Sequence, residues 1–151
     1  MSNEELESQW VLPAGLPKPI PSSEGLGKEF WAATLEHKLV IQRCADCRHW
    51  QWGPEIICRA CGGEQLGYES VEPAGEIYSW QRCWYPVHPA LKETVPYLVV
   101  MVELDSAPGV RLIGNLVGDG QQSLAVGDRV TALFEDHPGD EPYTLVQWQR
   151  V

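Results

Sequence analysis

Apolar residues along this chain follow two rhythms. In SEGLGKEFWAATLEHKL, Leu26, Phe30, Ala33 and Leu35, with Trp31, recur at helical spacing behind Ser22 and Ser23, either of which is a suitable cap. The pattern predicts one amphipathic helix over about residues 26 to 37, handing over to a short strand in KLVIQRC. Beyond residue 64 a period of two takes over: QLGYESVE, GEIYSWQRCWYP, PYLVVMVELD, VRLIGNLVG, DRVTALFED and YTLVQWQRV read as strands, and turn formers such as PAG, SAPG, GDGQQ, VGD and HPGDEP separate them. Strands at this spacing predict a small barrel or sandwich, so the chain is mainly β. YLVVMVEL is almost continuously apolar, which places it centrally with both faces covered.

Residues 1 to 23 show neither rhythm, and four prolines fall in LPAGLPKPIPSS. Proline keeps such a segment extended and stiff. It reads either as a disordered tail or as an arm that lies along a partner, because Trp10, Val11, Leu12, Leu16 and Ile20 need cover. The expected organisation is an arm over 1–23, the helix with a cysteine-bearing unit over 24–68, and the barrel over 69–151.

The cysteine-bearing unit is CADCRHWQWGPEIICRACGG, in which Cys44, Cys47, Cys58 and Cys61 form C-x2-C-x10-C-x2-C. Each C-x-x-C turn aims two thiolates at one point, and two turns complete a tetrahedron, so the spacing predicts a zinc ribbon with RHWQWGPEII running out and back between the turns. Iron in a rubredoxin-like site has the same geometry and stays open. Four thiolates close the metal's shell and leave no position for substrate or water, which makes the metal structural. His49 beside the second knuckle reads as an exposed loop residue.

No catalytic constellation stands out. There is no P-loop, no G-x-G-x-x-G and no G-x-S-x-G elbow. Cys83 has no base near it except the distant His88 and reads as a buried strand thiol. The four histidines share no ligand-like spacing, and Glu103 with Asp105 read as solvated strand-end acids. No residue is therefore assigned a catalytic role.

Composition narrows the partners. The formal charge of -10 repels phosphate backbones and anionic lipid surfaces, and no apolar run is long enough to span a membrane, so neither nucleic acid nor membrane is expected. The acidic N-terminus MSNEELESQW is unlike a secretory signal, and a cytoplasmic location is expected. Among the seven tryptophans, Trp50 and Trp52 alternate on one side of the ribbon hairpin and are the first candidates for a contact surface, with Trp10 and Trp84 beside them. Tyr78, Trp80 and Trp84 alternate in a way that also suits a base-stacking platform, which keeps a single-strand-binding module open as a second class of function, as iron keeps electron transfer open as a third.

The order of these pieces, FWAATLEHKLVIQRCADC, the paired knuckles, PYLVVMVELD and then VGDRVTALFE, resembles the zinc-ribbon OB-fold family once catalogued as domain of unknown function thirty-five. The likeness covers about residues 26 to 148. It implies a rubredoxin-like zinc ribbon followed by an OB-fold barrel. It also implies a non-catalytic subunit that assembles with a thiolase-like or hydratase enzyme on acyl-CoA thioesters and shares the acyl-CoA ligand with that partner. A steroid side-chain-cleaving retro-aldolase is the preferred partner reaction. An acyltransferase, a hydroxymethylglutaryl-CoA-synthase-type or a MaoC-like hydratase complex stays open beside it. With so acidic a chain, contacts to CoA phosphates would fall to Arg43, Arg48 and Arg59 near the ribbon or to the partner.

Overall fold

The computed structural model describes residues 10–17 and 20–151. The acidic stretch 1–9 and the KP of the arm lie outside the described residues. Helix α1 (Lys28–Leu35) packs on a three-stranded sheet of β1 (Leu39–Cys44), β2 (Trp50–Gln51) and β3 (Leu66–Val71), ordered β2-β1-β3. A closed barrel follows, built from β4 (Ala74–Cys83), β5 (Tyr97–Leu104), β6 (Arg111–Leu116), β7 (Arg129–His137) and β8 (Tyr143–Arg150) in the order β4-β5-β6-β8-β7. Among the described residues no helix is long and apolar enough to cross a membrane.

The expected helix is shorter at both ends. Gly25 takes a left-handed φ of 83° and Gly27 caps without a side-chain bond, while the Ser22 hydroxyl accepts from the Glu24 amide instead. His37, also left-handed at φ 55°, closes the other end. QLGYESVE is a ribbon strand rather than a barrel strand, because β3 pairs with β1 along its whole length.

Period two in YLVVMVEL is literal. Leu98, Val100, Val102 and Leu104 are buried in the barrel and the intervening residues only half-buried, so its faces are not both covered. A barrel wall has one inside, and its outer face is dry only where another element lies on it. Those inward residues meet Ile77, Leu112, Leu116, Val130 and the fully buried Trp148 in one core that reaches Phe30 and Ile41 of the helix and ribbon. Cys83, expected to be buried, is half-buried at the end of β4 opposite Tyr97.

The seam between β6 and β8 is the weak point of the barrel wall. A single parallel pair, Leu116 with Trp148, joins them, whereas β7 and β8 pair over eight positions. Gly114 lies in this seam with so little room that a Cβ there would sit 2.6 Å from the Val146 carbonyl oxygen.

Candidate functional site

Two features carry chemistry, the cysteine cluster and the outer face of the barrel seam. In the ribbon, each C-x-x-C turn is closed the same way: the Arg48 amide donates to the Cys44 carbonyl at 3.0 Å, and the Gly62 amide to the Cys58 carbonyl at 2.9 Å. The residue after each second cysteine is left-handed, Arg48 at φ 63° and Gly62 at φ 74°, so the two knuckles repeat one geometry. The four Sγ atoms lie within 4.8 Å of one another, with Cys44 to Cys61 at 3.7 Å and Cys47 to Cys58 at 3.6 Å. A tetrahedron with Zn–S bonds of about 2.3 Å has edges of about 3.8 Å, which these two pairs match, so the cluster is placed to hold zinc.

Backbone amides complete that environment. The Ala60 amide points at Cys58 Sγ and the Gly63 amide at Cys61 Sγ, each at 3.4 Å. The Cys61 amide above all, with that of Ala60, holds the Cys58 thiol down to about 7. The Gly63 amide favours the Cys61 thiolate, but the crowding thiols of Cys47, Cys44 and Cys58, with burial, push it up to about 12. Four thiols this close need a cation to ionise together, and a divalent metal supplies that charge when bound. Cys44 and Cys58 are buried while Cys47 and Cys61 reach the surface.

The ribbon arginines are occupied by their own chain. Arg43 and Arg48 both bind the Glu69 carboxylate, Arg43 also lies 4.2 Å over the Trp50 ring, and Arg59 donates to the carbonyls of Trp52 and Gly53 and to Glu55. Elsewhere Arg82 donates to the carbonyls of Gly120 and Gln122, Arg111 binds Glu103, Arg129 binds Asp105, and Arg150 reaches Asp128. Trp50 and Trp52 pack against the core, with the Trp52 ring 4.7 Å from Phe30. Trp84 is different: it is 61% exposed at the end of β4, beside the still more exposed Tyr85 and Val87.

Residues 10–17 of the arm lie against the barrel. Trp10 stacks on His137 at 4.2 Å and its indole N–H donates to the Asp136 carbonyl. Next to it lies a groove of about 450 Å³ along the β6–β8 seam, walled by Phe30, Trp31 and Trp52 on one side and by Val99, Met101 and Ile113 on the other. Asn115, Leu145 and Gln147 are shared with a second cavity of about 320 Å³ beneath the arm, so the two are neighbouring compartments of one depression. Neither was foreseen. Their walls come from strands far apart in sequence, and only the barrel register brings them together.

Comparison with known proteins places these features. Residues 31–67 match the family model described as the ChsH2 rubredoxin-like zinc ribbon domain, and residues 68–135 match the ChsH2 C-terminal OB-fold domain. A probable enoyl-CoA hydratase alpha subunit of Thermomonospora curvata is 35% identical over 116 residues, covering 74% of this chain and 34% of that protein. A 3-oxo-4,17-pregnadiene-20-carboxyl-CoA hydratase alpha subunit of Mycobacterium tuberculosis is 30% identical over 153 residues, covering 91% and 45%. The chain thus spans between a third and a half of the length of these curated relatives. Among solved structures, a chain of the Ltp2-ChsH2(DUF35) aldolase superposes with a TM-score of 0.72 at 29% identity, over 86% of this chain and 98% of that one. A DUF35-family protein from Sulfolobus solfataricus, at 13% identity and a TM-score of 0.59 over 83% of this chain and 85% of that one, shares the fold.

Proposed function

This chain belongs to the zinc-ribbon OB-fold family of ChsH2, and from that premise we propose that it is an accessory subunit of an acyl-CoA-processing enzyme. In this reading the four cysteines hold a structural zinc. The groove along the β6–β8 seam cradles the apolar acyl part of the substrate, and the partner carries the catalytic groups. The observation that carries the proposal is the groove itself: about 450 Å³, walled by aromatic and aliphatic side chains and open on the barrel's outer face.

The charge distribution supports a division of labour. Every arginine from Arg43 to Arg150 binds a carboxylate or carbonyl of its own chain, which favours a partner that contributes to holding the phosphates of CoA. The exposed run Trp84, Tyr85 and Val87 suits a partner interface, since aromatic residues left in water are what such contacts bury. A thiolase-like retro-aldolase acting on steroid acyl-CoA thioesters is the preferred partner, in keeping with the aldolase named for one structural neighbour. The hydratase names of the curated relatives favour a MaoC-like hydratase as the second reading.

Affinity purification of the tagged chain from its host, with mass spectrometry of what accompanies it, tests the assembly. Recovery of a thiolase-like or hydratase subunit in a fixed ratio, weakened by replacing Trp84 and Tyr85 with serine, is expected. Recovery of neither class of enzyme would refute the reading.

A further inference from the structure

A buried polar cluster lies far from the cysteines, on the outer face of β7 and β8 beneath the arm. Glu135 and His137 are two apart and share that face, and strand register sets Glu135 opposite Leu145 and His137 opposite Tyr143. Glu135, His137, Tyr143 and Gln147 are all more than nine-tenths buried.

The hydrogen bonds fix the role of each atom. Glu135 Oε2 accepts from the Val11 amide at 2.6 Å. Gln147 Oε1 accepts from the Asn115 amide at 2.7 Å, which turns the Gln147 amide nitrogen to donate to Glu135 Oε1 at 3.3 Å. A carboxylate offers only lone pairs, so His137 Nε2, 2.9 Å from Oε1, carries a hydrogen and donates it. In a neutral imidazole that leaves Nδ1 with a lone pair. His137 Nδ1 and the Tyr143 hydroxyl are buried and have no hydrogen-bond partner among the described residues. The His137 ring is held between Trp10 at 4.2 Å and Tyr143 at 4.6 Å, so it cannot turn away to find one.

Both residues line the cavity of about 320 Å³ that Leu12 to Pro17 roof over, and that cavity adjoins the apolar groove at Asn115, Leu145 and Gln147; Nδ1 and the hydroxyl are themselves sealed, so a ligand reaches them only with a local shift of the side chains around them. Unpaired buried polar atoms are costly, so a ligand that satisfies them gains what the free chain lacks. A metal is a poor candidate, because Glu135 and His137 are bound to each other. An anion is a poor candidate too, because it would sit against the Glu135 carboxyl group.

We propose that the cavity under the arm binds the hydroxyl group of a neutral, apolar ligand that reaches it from the groove. The hydroxyl donates to His137 Nδ1 and accepts from the Tyr143 O–H, satisfying both orphans at once. A ketone at the same place accepts from Tyr143 and leaves Nδ1 unpaired. The site rests on the acyl-cradle reading only for the ligand's apolar part; its polar end follows from His137, Tyr143 and Glu135.

The test uses androstanol and androstanone, which share one carbon skeleton and differ in hydroxyl against ketone. The full chain is titrated with each by calorimetry, and the ring nitrogens of ¹⁵N-labelled histidines are followed by NMR. The alcohol is expected to bind about tenfold more tightly than the ketone and to move the His137 resonances, and His137→Phe, which keeps a ring in the stack, is expected to make the two ligands equal. Equal binding by the wild-type chain with His137 unmoved would overturn this site and leave the groove's role standing. Binding of neither would overturn both. The wild-type comparison needs no variant, and Tyr143→Phe, expected to weaken both ligands, gives a second measurement should His137→Phe not fold.

Discussion

Phe30→Ala removes the side chain that joins all three parts of the molecule. Phe30 is 5% exposed, meets Trp31 edge-on at 5.1 Å and Trp52 of the ribbon at 4.7 Å, and belongs to the same core as the barrel residues Val100 and Trp148. Deleting a buried phenyl ring loses its transfer free energy and leaves a cavity, about 3–5 kcal/mol together where the surroundings cannot collapse. Collapse is restricted here, because Trp52 is tied through its carbonyl to Arg59 and the β1–β3 sheet is pinned along its length. Of the roughly 5–15 kcal/mol a domain has in hand, this is a large share, and the melting temperature should fall by about 10 °C. Phe30→Leu, which keeps most of the volume, should cost about 1 kcal/mol. Equilibrium urea unfolding of the wild type and both variants measures the difference. A loss below about 1 kcal/mol for Phe30→Ala would refute the claim that helix, ribbon and barrel share one core.

Metal analysis of the purified chain should find one zinc held by the four cysteines, and chelation should strip amide-exchange protection from residues 44–66 while β4–β8 keep theirs, since Ile56 and Ile57 between the knuckles are exposed and form no core of their own. Gly114→Ala should destabilise the barrel, because its Cβ would point inward, 2.6 Å from the Val146 carbonyl oxygen and 2.9 Å from the buried Trp148 ring; an unchanged urea midpoint would contradict the seam geometry. Acid should weaken the fold early. Arg43 and then Arg48 hold Glu69 below the usual carboxylate range, and Arg129 does the same for Asp105, so their stabilisation is complete above that range and is lost as pH falls through it. The urea midpoint should drop between about pH 5 and pH 3, and the drop should be smaller in Glu69→Gln; an identical drop in both would assign the effect elsewhere.

Much of this architecture could be read from the residues, because the signals are local. Two C-x-x-C turns name their own chemistry, and period-two burial in β5 follows from the pleat whatever the neighbours are. Element edges went astray where glycine or a left-handed residue decided them, as at Gly25 and His37. The groove and the Glu135–His137 cluster were missed for a different reason. Glu135 and His137 look like polar residues on the exposed face of a strand, and only the pairing with Tyr143 and the return of Val11 to the same face bury them. The alternation E-x-H on β7 with Y-x-L-x-Q on β8 was the available signal, since polar groups two and four apart line one face. The arginine candidates were legible only as charge. Charge near a ribbon suggests a phosphate contact, and sequence alone does not show that the same guanidinium groups also bind Glu69, Glu55 and main-chain carbonyls.

The division of labour between an acyl-cradling subunit and a catalytic partner is tested most directly by acyl-CoA turnover with the partner alone, this chain alone and the two combined. The expected result is none from this chain, weak turnover from the partner, and full activity from the pair at a fixed ratio, reduced when the groove is crowded by Ile113→Trp on its outward-facing wall. Turnover by this chain alone, or a partner whose rate is indifferent to its presence, would contradict it.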